Sequence, residues 1–276
     1  MSSGVCKLCL LTKELENSHF IPSAVYKALH APELPVGQPM VLTHKRIIQS
    51  SRQITAQAFC HDCEQIFNRG GEAWVLEKLA TLTSFPLRDM VMAATPAIDE
   101  QDFKAYCCSQ IPTIDFTKIV HLTLGIFWKS SVRTWNMLDG PAQRISLGPY
   151  EERTRRYLIG AEPFPANMSL VTYLDAKTPP FLAAIPPRRF QGNGFRLFVL
   201  YLNGLQCSLC VGKGIPFEYR VTCLASAVEH PIFVLPSIGE NILRVTKETV
   251  RNSKPSKGIL STFDSWRKLK QDGVID

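Results

Sequence analysis

The segments Cys6-Lys7-Leu8-Cys9 and Cys60-His61-Asp62-Cys63 contain the two Cys-x-x-Cys pairs that decide the fold of the first part of this chain. Two thiolates in one short turn can bind the same metal ion, and two such pairs complete a tetrahedral zinc site. Both pairs lie in polar turns, and Cys63 leads into a helix-like run whose N-terminal dipole favours thiolate. The spacing therefore predicts one structural zinc bound by Cys6, Cys9, Cys60 and Cys63.

Zinc with four protein thiolates has no open coordination position, so such a site stabilises the fold and performs no chemistry. Any function must then depend on neighbouring residues. The first candidate is His19, in the step Asn17-Ser18-His19-Phe20-Ile21-Pro22 between the two pairs. His61, inside the second pair, is expected to face solvent.

A third pair, Cys207 and Cys210, lies in a strand pattern, where residues three apart point to opposite faces of the sheet. Buried thiols are the favoured interpretation there, as they are for Cys107, Cys108 and Cys223. Two alternatives stay open for this pair: zinc ligation by Cys207 and Cys210, and a thiol redox protein that uses them.

The order Cys-x-x-Cys, a Ser-His-Ile-Ile-Pro-like step, then Cys-x-x-Cys-Glu leading into a helix resembles the HNH endonucleases, a ββα-metal group. The resemblance covers residues 6–72, roughly a quarter of the chain. It implies a treble-clef zinc module in which His19 is the general base and Asn68, on the helix, helps to hold catalytic Mg²⁺ or Mn²⁺. Reserve candidates for the cation are Glu64 and Glu72, and Gln53 or His44 could orient the base.

The resemblance predicts a metal-dependent endonuclease that hydrolyses DNA phosphodiesters. Ser18, however, stands where that family usually has an acidic ligand. Residues 1–100 also carry 9 Lys/Arg against 10 Asp/Glu, a net charge of −1, so the module has no overall basic charge for a phosphate backbone. Both facts favour the alternative, a non-catalytic treble-clef zinc protein that binds nucleic acid or a protein partner.

The composition, 45% hydrophobic and 20% charged over 276 residues, is that of a soluble globular protein. No apolar run approaches the roughly 18–20 residues that span a bilayer, and the N-terminus lacks the layout of a secretion signal. We therefore expect a cytoplasmic protein without a membrane partner. In that compartment the nine cysteines are expected to be metal ligands and free thiols, not disulfides.

The fold class predicted is α+β: an N-terminal treble-clef or ββα-metal zinc module, then a larger mixed α+β domain with an antiparallel sheet. The boundaries are 1–82 for the zinc module, 83–112 for a mostly helical connector and 113–276 for the second domain. Helices are expected at 23–30, 64–82 (interrupted at Gly70-Gly71), 116–137, 149–158 and 261–270, and strands at 40–48, 54–59, 168–175, 195–202, 205–212, 217–224 and 231–235. A hairpin turn is expected at Asn203-Gly204, between two of these strands.

The second part of the chain is basic, because residues 101–276 carry 22 Lys/Arg against 14 Asp/Glu, a net charge of +8. We therefore expect DNA to be bound mainly through this part, which could also bind a protein partner. The candidate phosphate contacts fall in three groups: Arg153, Arg155 and Arg156; Arg188 and Arg189; and Arg251, Lys254, Lys257, Arg267, Lys268 and Lys270.

Overall fold

The computed structural model describes residues 2–29, 39–42, 46–137, 142–177 and 182–255. The predicted helix at 261–270, His44 and the lysines and arginine beyond residue 256 lie outside these ranges. No helix among the described residues is long and apolar enough to cross a membrane.

Short strands dominate the N-terminal part. Strands β1 (Ser2–Val5) and β2 (Thr12–Leu15) form an antiparallel hairpin, and β3 (Asn17–His19) pairs antiparallel with β6 (Thr55–Gln57). The intervening chain contains helix α1 (Ser23–Ala28) and strands β4 (Met40–Leu42) and β5 (Arg46–Gln49). Strand β14 (Lys254–Pro255), near the end of the described chain, pairs parallel with β5.

A helical segment follows the second cysteine pair, and the two glycines interrupt it as predicted. Helix α2 (His61–Phe67) passes into a π-helical turn (Asn68–Glu72) and then into α3 (Ala73–Leu76). A Cβ atom on Gly70 would lie 2.1 Å from Cε1 of His121, and one on Gly71 would lie 2.3 Å from the Lys118 carbonyl oxygen. Only glycine therefore allows the π-helical turn to pack this closely on the helix that contains His121.

The second part of the chain is built on a seven-stranded sheet. The strands are β7 (Ile98–Asp99), β8 (Lys104–Cys107), β9 (Met168–Asp175), β10 (Ala184–Gln191), β11 (Arg196–Leu202), β12 (Leu205–Val211) and β13 (Pro231–Leu235), in the spatial order β10-β11-β12-β9-β13-β8-β7. All neighbours are antiparallel except β13 and β9, which are parallel. The helices of this part are α4 (Pro86–Met92), α5 (Phe116–Val132), α6 (Tyr150–Leu158), α7 (Phe217–Val221) and α8 (Ile238–Asn252).

Several of the expected elements are confirmed. Strands β9 and β13 have the predicted bounds, and the Asn203-Gly204 turn joins β11 to β12 with φ of 38° and 87° at its two residues. Positive φ at both central positions is the backbone of the tight hairpin turn that Asn-Gly favours. The mixed α+β class is therefore confirmed.

Three expectations were wrong. Residues 217–224 do not form a strand, because Pro216 precedes a short helix, α7, that has acidic Glu218 in its first turn and basic Arg220 in its last. The stretch 83–112 is not mostly helical, because β7 and β8 lie within it and β8 pairs with the distant β13. The helix from Phe116 ends at Val132, not at residue 137, since Arg133 is extended and donates to the Gln57 carbonyl at 2.6 Å.

One buried core runs through the described chain. It contains Phe67 of α2, Trp128 of α5 and Leu209 of β12, each no more than 2% exposed. Helix α5 lies between the sheet and the cysteine-containing region, so its two faces are both buried. The division into three parts at residues 82 and 112 stays a prediction.

Candidate metal centre and neighbouring side chains

The first cysteine pair lies in the turn between β1 and β2. The Cys6 N–H donates to the Leu11 carbonyl at 2.9 Å, and the Leu10 N–H donates to the Cys6 carbonyl at 2.9 Å. Leu10 has a φ of +65°, which closes the loop after Cys9. These bonds make a tight knuckle that directs the Cys6 and Cys9 thiols to one side.

The second pair lies at the start of α2. Cys60 is the N-cap residue, and the N–H groups of Cys63 and Glu64 each donate to the Cys60 carbonyl at 3.0 Å. Backbone bonds dock this turn on the first knuckle: Lys7 N–H donates to the Ala58 carbonyl at 3.0 Å, and Glu16 N–H donates to the Phe59 carbonyl at 2.8 Å. The two pairs are thus held together by the strands that precede them.

The four thiols fit a single tetrahedral metal ion. Their sulfur atoms all lie within 4.8 Å of one another, and the Sγ atoms of Cys9 and Cys60 are 3.9 Å apart. Four sulfurs about 2.3 Å from a tetrahedral zinc would be about 3.8 Å from each other. Cys6, Cys60 and Cys63 are no more than 2% exposed, and Cys9 is half-buried. The four cysteines therefore cluster at metal-binding distance, as the sequence predicted.

The surroundings of Cys6, Cys60 and Cys63 affect the pKa values of their thiols differently. Burial raises the pKa of the Cys6 thiol, but backbone N–H groups of Cys9, Cys60 and Leu8 outweigh it and hold that pKa below its ordinary value. Burial raises the pKa of Cys60 and Cys63. Hydrogen bonding thus favours thiolate at Cys6, whereas burial disfavours it at Cys60 and Cys63.

Ser18 has a structural role in this region. Its hydroxyl is 2% exposed, accepts from the Phe59 N–H at 3.3 Å and donates to the Glu16 carbonyl at 3.4 Å. The side chain therefore fastens β3 to the residue before Cys60. It is not free to act as a cation ligand where an acidic residue was expected.

His19 is the half-buried last residue of β3 and pairs across the ladder with Thr55. Its imidazole makes no hydrogen bond with the described residues. The three other histidines in the described ranges all have partners: His61 lies 3.4 Å from a Glu16 carboxylate oxygen, His121 3.1 Å from the Leu158 carbonyl and His230 2.8 Å from the Leu224 carbonyl. Among these four described histidines, His19 is the one whose imidazole has no hydrogen-bond or ion-pair partner in the described chain.

The helix provides an acidic oxygen near the thiols. Glu64 Oε1 is buried and has no hydrogen-bond partner among the described residues. Asn68 is exposed at the start of the π-helical turn, four residues after Glu64, so both lie on one side of the helix. Gln53 Oε1, just before β6, is also buried without a partner in the described chain. No hydrogen bond within this part of the structure joins His19 to any of these three residues.

Glu72 is committed elsewhere. Its carboxylate forms an ion pair of 3.1 Å with Lys129 of α5, whose side chain is only 3% exposed and lies 4.0 Å from the centre of the Phe67 ring. A buried charge needs such a partner, so Glu72 stabilises the contact between the π-helical turn and α5. Sequence reasoning missed this pair, because Lys129 is one of several polar residues on a helix with no neighbour in the sequence to mark it.

The third cysteine pair is not a second metal site. Cys207 lies 3.7 Å from the Thr172 hydroxyl on the α5 side of the sheet, and Cys210, three residues on in the same strand, points to the other side. Their Cα atoms are about 10 Å apart by strand geometry, which is too far for a disulfide. Both are fully buried, and burial raises the pKa of each thiol to about 12. The redox alternative for this pair is therefore wrong.

Comparison with known proteins adds no relative: no family profile matches the chain, and neither the curated proteins nor the solved structures contain a match.

Proposed function

We propose that the N-terminal part of this chain is an HNH-like endonuclease module that hydrolyses DNA phosphodiesters and is held together by a treble-clef zinc site. The order of a knuckle, a β-hairpin and a helix that begins at the second cysteine pair supports the treble-clef assignment. The clustered thiols support a zinc ion bound by Cys6, Cys9, Cys60 and Cys63. This zinc would be structural, since four thiolates fill its coordination sphere.

The uncommitted imidazole of His19 is the observation that supports catalysis most. Histidine is a common general base at neutral pH, and a base must have a nitrogen free to accept a proton. In the proposed reaction a water oxygen bonds to phosphorus, the water proton moves to His19, and the ester bond to the leaving sugar oxygen breaks. Ser18 fixes the strand that presents this imidazole, through its bond to Phe59.

Glu64 is the residue that best replaces the missing acid at position 18. Its buried oxygen has no partner in the described structure, and Asn68 adds an amide oxygen on the same side of the helix. Carboxylate and amide oxygens suit Mg²⁺ and Mn²⁺. Such a cation, when bound, would offset the negative charge that develops on the phosphate.

A second candidate is a non-catalytic treble clef that binds nucleic acid or a protein. It is favoured by the engagement of Ser18 in backbone hydrogen bonds. It is also favoured because the four thiols are the only group of three or more His, Cys, Asp or Glu side chains, within the described ranges, that are close enough to hold a metal. In this case zinc alone would be required, and His19 would be dispensable.

Nicking of supercoiled plasmid DNA by the zinc-loaded full chain with Mg²⁺ or Mn²⁺ tests the proposal. We expect the parent protein to cut and His19→Ala to lose about 10²–10⁴-fold in rate, the usual contribution of a general base. His61→Ala is the matched control, because it removes an exposed imidazole from the same module and should cut like the parent. Glu64→Gln should require more Mg²⁺ for half-maximal rate.

Equal cutting by the parent and His19→Ala would overturn the assignment of the base. A parent protein that contains one equivalent of zinc, binds DNA and does not cut it would replace the nuclease with the second candidate.

A further inference from the structure

The outer end of the seven-stranded sheet presents an open face far along the chain from the cysteine cluster. In the antiparallel register Arg188 lies opposite Val199 and Phe190 lies opposite Leu197. Because side chains alternate along a strand, these four residues share one side of β10 and β11, which we call the open sheet face. Phe198, between Leu197 and Val199, points the other way and is fully buried in the core.

Aromatic side chains are partly exposed on and beside this face. Phe190 is 50% exposed, and Leu197 and Val199 are half-buried. On the inner strands the same side of the sheet is covered by α7, because the Ser169 hydroxyl of β9 donates to the Tyr219 carbonyl. The Tyr219 ring lies 5.8 Å from that of Phe195 at the hairpin turn, and Phe217 beside it is 69% exposed. Helix α7 therefore borders the open sheet face with further rings.

The surroundings are strongly cationic. Residues 182–225 contain five basic residues, Arg188, Arg189, Arg196, Lys213 and Arg220, against one acidic residue, Glu218. Arg196 donates to the Ser146 carbonyl at 2.7 Å, but the other four are exposed and have no ion-pair partner in the described chain. This region thus contributes four of the eight excess positive charges of residues 101–276.

We propose that the open sheet face, with the adjoining rings of α7 and the hairpin turn, binds single-stranded DNA. Unpaired cations attract a phosphate backbone, and exposed rings stack on bases. A duplex keeps its bases stacked on each other and cannot offer their faces, so the exposed rings favour an unpaired strand. The choice of DNA over RNA rests on the proposed function. The assignment of this face as a single-strand binding surface does not depend on that function.

Protection of the sheet edge does not explain all the residues of this surface. Basic residues and prolines on an edge strand prevent edge-to-edge pairing, and β10 contains Pro186 and Pro187 beside its arginines. Edge protection, however, requires no exposed aromatic ring. Phe190 on the edge strand works against it, since exposed apolar edges promote association.

Fluorescence anisotropy of a labelled oligothymidylate tests the proposal. The full zinc-loaded chain with His19→Ala is used without Mg²⁺, so that the result is independent of cleavage. We expect Phe190→Leu, which keeps the side chain apolar but removes the ring, to weaken binding about tenfold. Arg188→Ala should weaken binding and reduce the salt dependence, with the slope of log K against log salt falling by about 0.7.

Lys247→Ala is the matched control, because it removes an exposed positive charge from α8, outside the candidate phosphate contacts, and should leave the affinity within about twofold. Sedimentation velocity of Phe190→Leu and Arg188→Ala checks that both stay in the parent's oligomeric state. Circular dichroism checks that both are folded.

Four outcomes would overturn the proposal: equal weakening by Lys247→Ala and Arg188→Ala, equal binding of a duplex of the same length, equal binding of polyglutamate, or no effect of Phe190→Leu. Tighter binding of oligouridylate than of oligothymidylate would overturn the choice of DNA. If the parent protein does not cleave plasmid DNA but still binds the oligonucleotide, the proposed nuclease activity is contradicted and the proposed binding surface is not.

Discussion

The cysteine region and the seven-stranded sheet are stabilised in different ways. Near the cysteines the strands are three or four residues long and α2 has only seven residues. Elements this short are marginal by themselves. Strands β9 to β12 are seven or eight residues long, and β9, β11 and β12 have fully buried core side chains such as Leu170, Phe198 and Leu209. We therefore expect the first region to need a cross-link, whereas the second is stabilised by its own ladders and core.

Removal of the metal should have the largest effect and should separate the two regions. We expect Cys60→Ala to abolish zinc binding and to unfold residues 2–29 and 46–76, because structural zinc contributes on the order of 10 kcal/mol in small zinc modules. Strands β9, β11 and β12 should keep their protection. Zinc content by mass spectrometry and hydrogen exchange of the peptides from each region measure this.

Cys107→Ala is the control for this prediction, since Cys107 is a half-buried thiol outside the cluster. It should retain one equivalent of zinc. Loss of protection in the sheet together with the cysteine region would show that the two regions form one cooperative unit and would contradict the comparison.

The buried ion pair tests how firmly the two regions are joined. Glu72→Ala should lower the free energy of unfolding by about 3–5 kcal/mol, because it leaves the Lys129 ammonium, 3% exposed, without a counter-charge. Glu72→Gln combined with Lys129→Met should recover most of this loss, since no charge is then buried. Urea denaturation of the zinc-loaded protein is the measurement.

Lys104→Ala provides the comparison for the ion pair. It breaks the exposed Lys104–Asp99 pair of 2.8 Å and should leave the urea midpoint nearly unchanged, because solvent screens exposed ion pairs. If Glu72→Ala costs no more than Lys104→Ala, the buried pair does not join the regions.

Substitution of the glycines of the π-helical turn by alanine is expected to have the smallest effect on stability. Gly71→Ala should cost about 1–3 kcal/mol in any background, because its Cβ would meet the backbone of α5 at Lys118 and Leu122. Gly70→Ala should cost less in a His121→Ala background than in the parent, since the three atoms nearest to its Cβ all belong to the His121 ring. Thermal denaturation of the double-mutant cycle measures the coupling.

Gly125→Ala, in the middle of α5, is the control here. Its Cβ would lie 3.4 Å from the Phe67 ring, close to ordinary contact distance, and alanine favours helix over glycine by about 1 kcal/mol. It should be neutral or stabilising. A Gly70→Ala cost that is unchanged by His121→Ala would show that the π-helical turn is not held by this contact.

The elements that local sequence could predict are those with strong local causes. The Asn203-Gly204 turn and the flanking strands follow from backbone preferences of those residues, and the knuckles follow from cysteine spacing. Strand β8 could not be found in the same way, because its partner β13 is more than a hundred residues away. Helix α7 and the end of α5 at Val132 were mispredicted because proline capping and a bond from Arg133 to Gln57 override the apolar pattern.

Short-range spacing was enough to predict that Cys6, Cys9, Cys60 and Cys63 cluster at metal-binding distance with His19 between the two pairs, because it limits where those side chains can go. The neighbours that are available for chemistry are fixed instead by contacts between distant segments. Tertiary contacts engage Ser18 with Phe59, pair Glu72 with Lys129, leave Glu64 and His19 without partners in the described chain, and place Arg188 and Phe190 of β10 opposite Val199 and Leu197 of β11. Hydrogen bonding and charge pairing depend on which groups meet across distant segments, and no local pattern encodes those contacts.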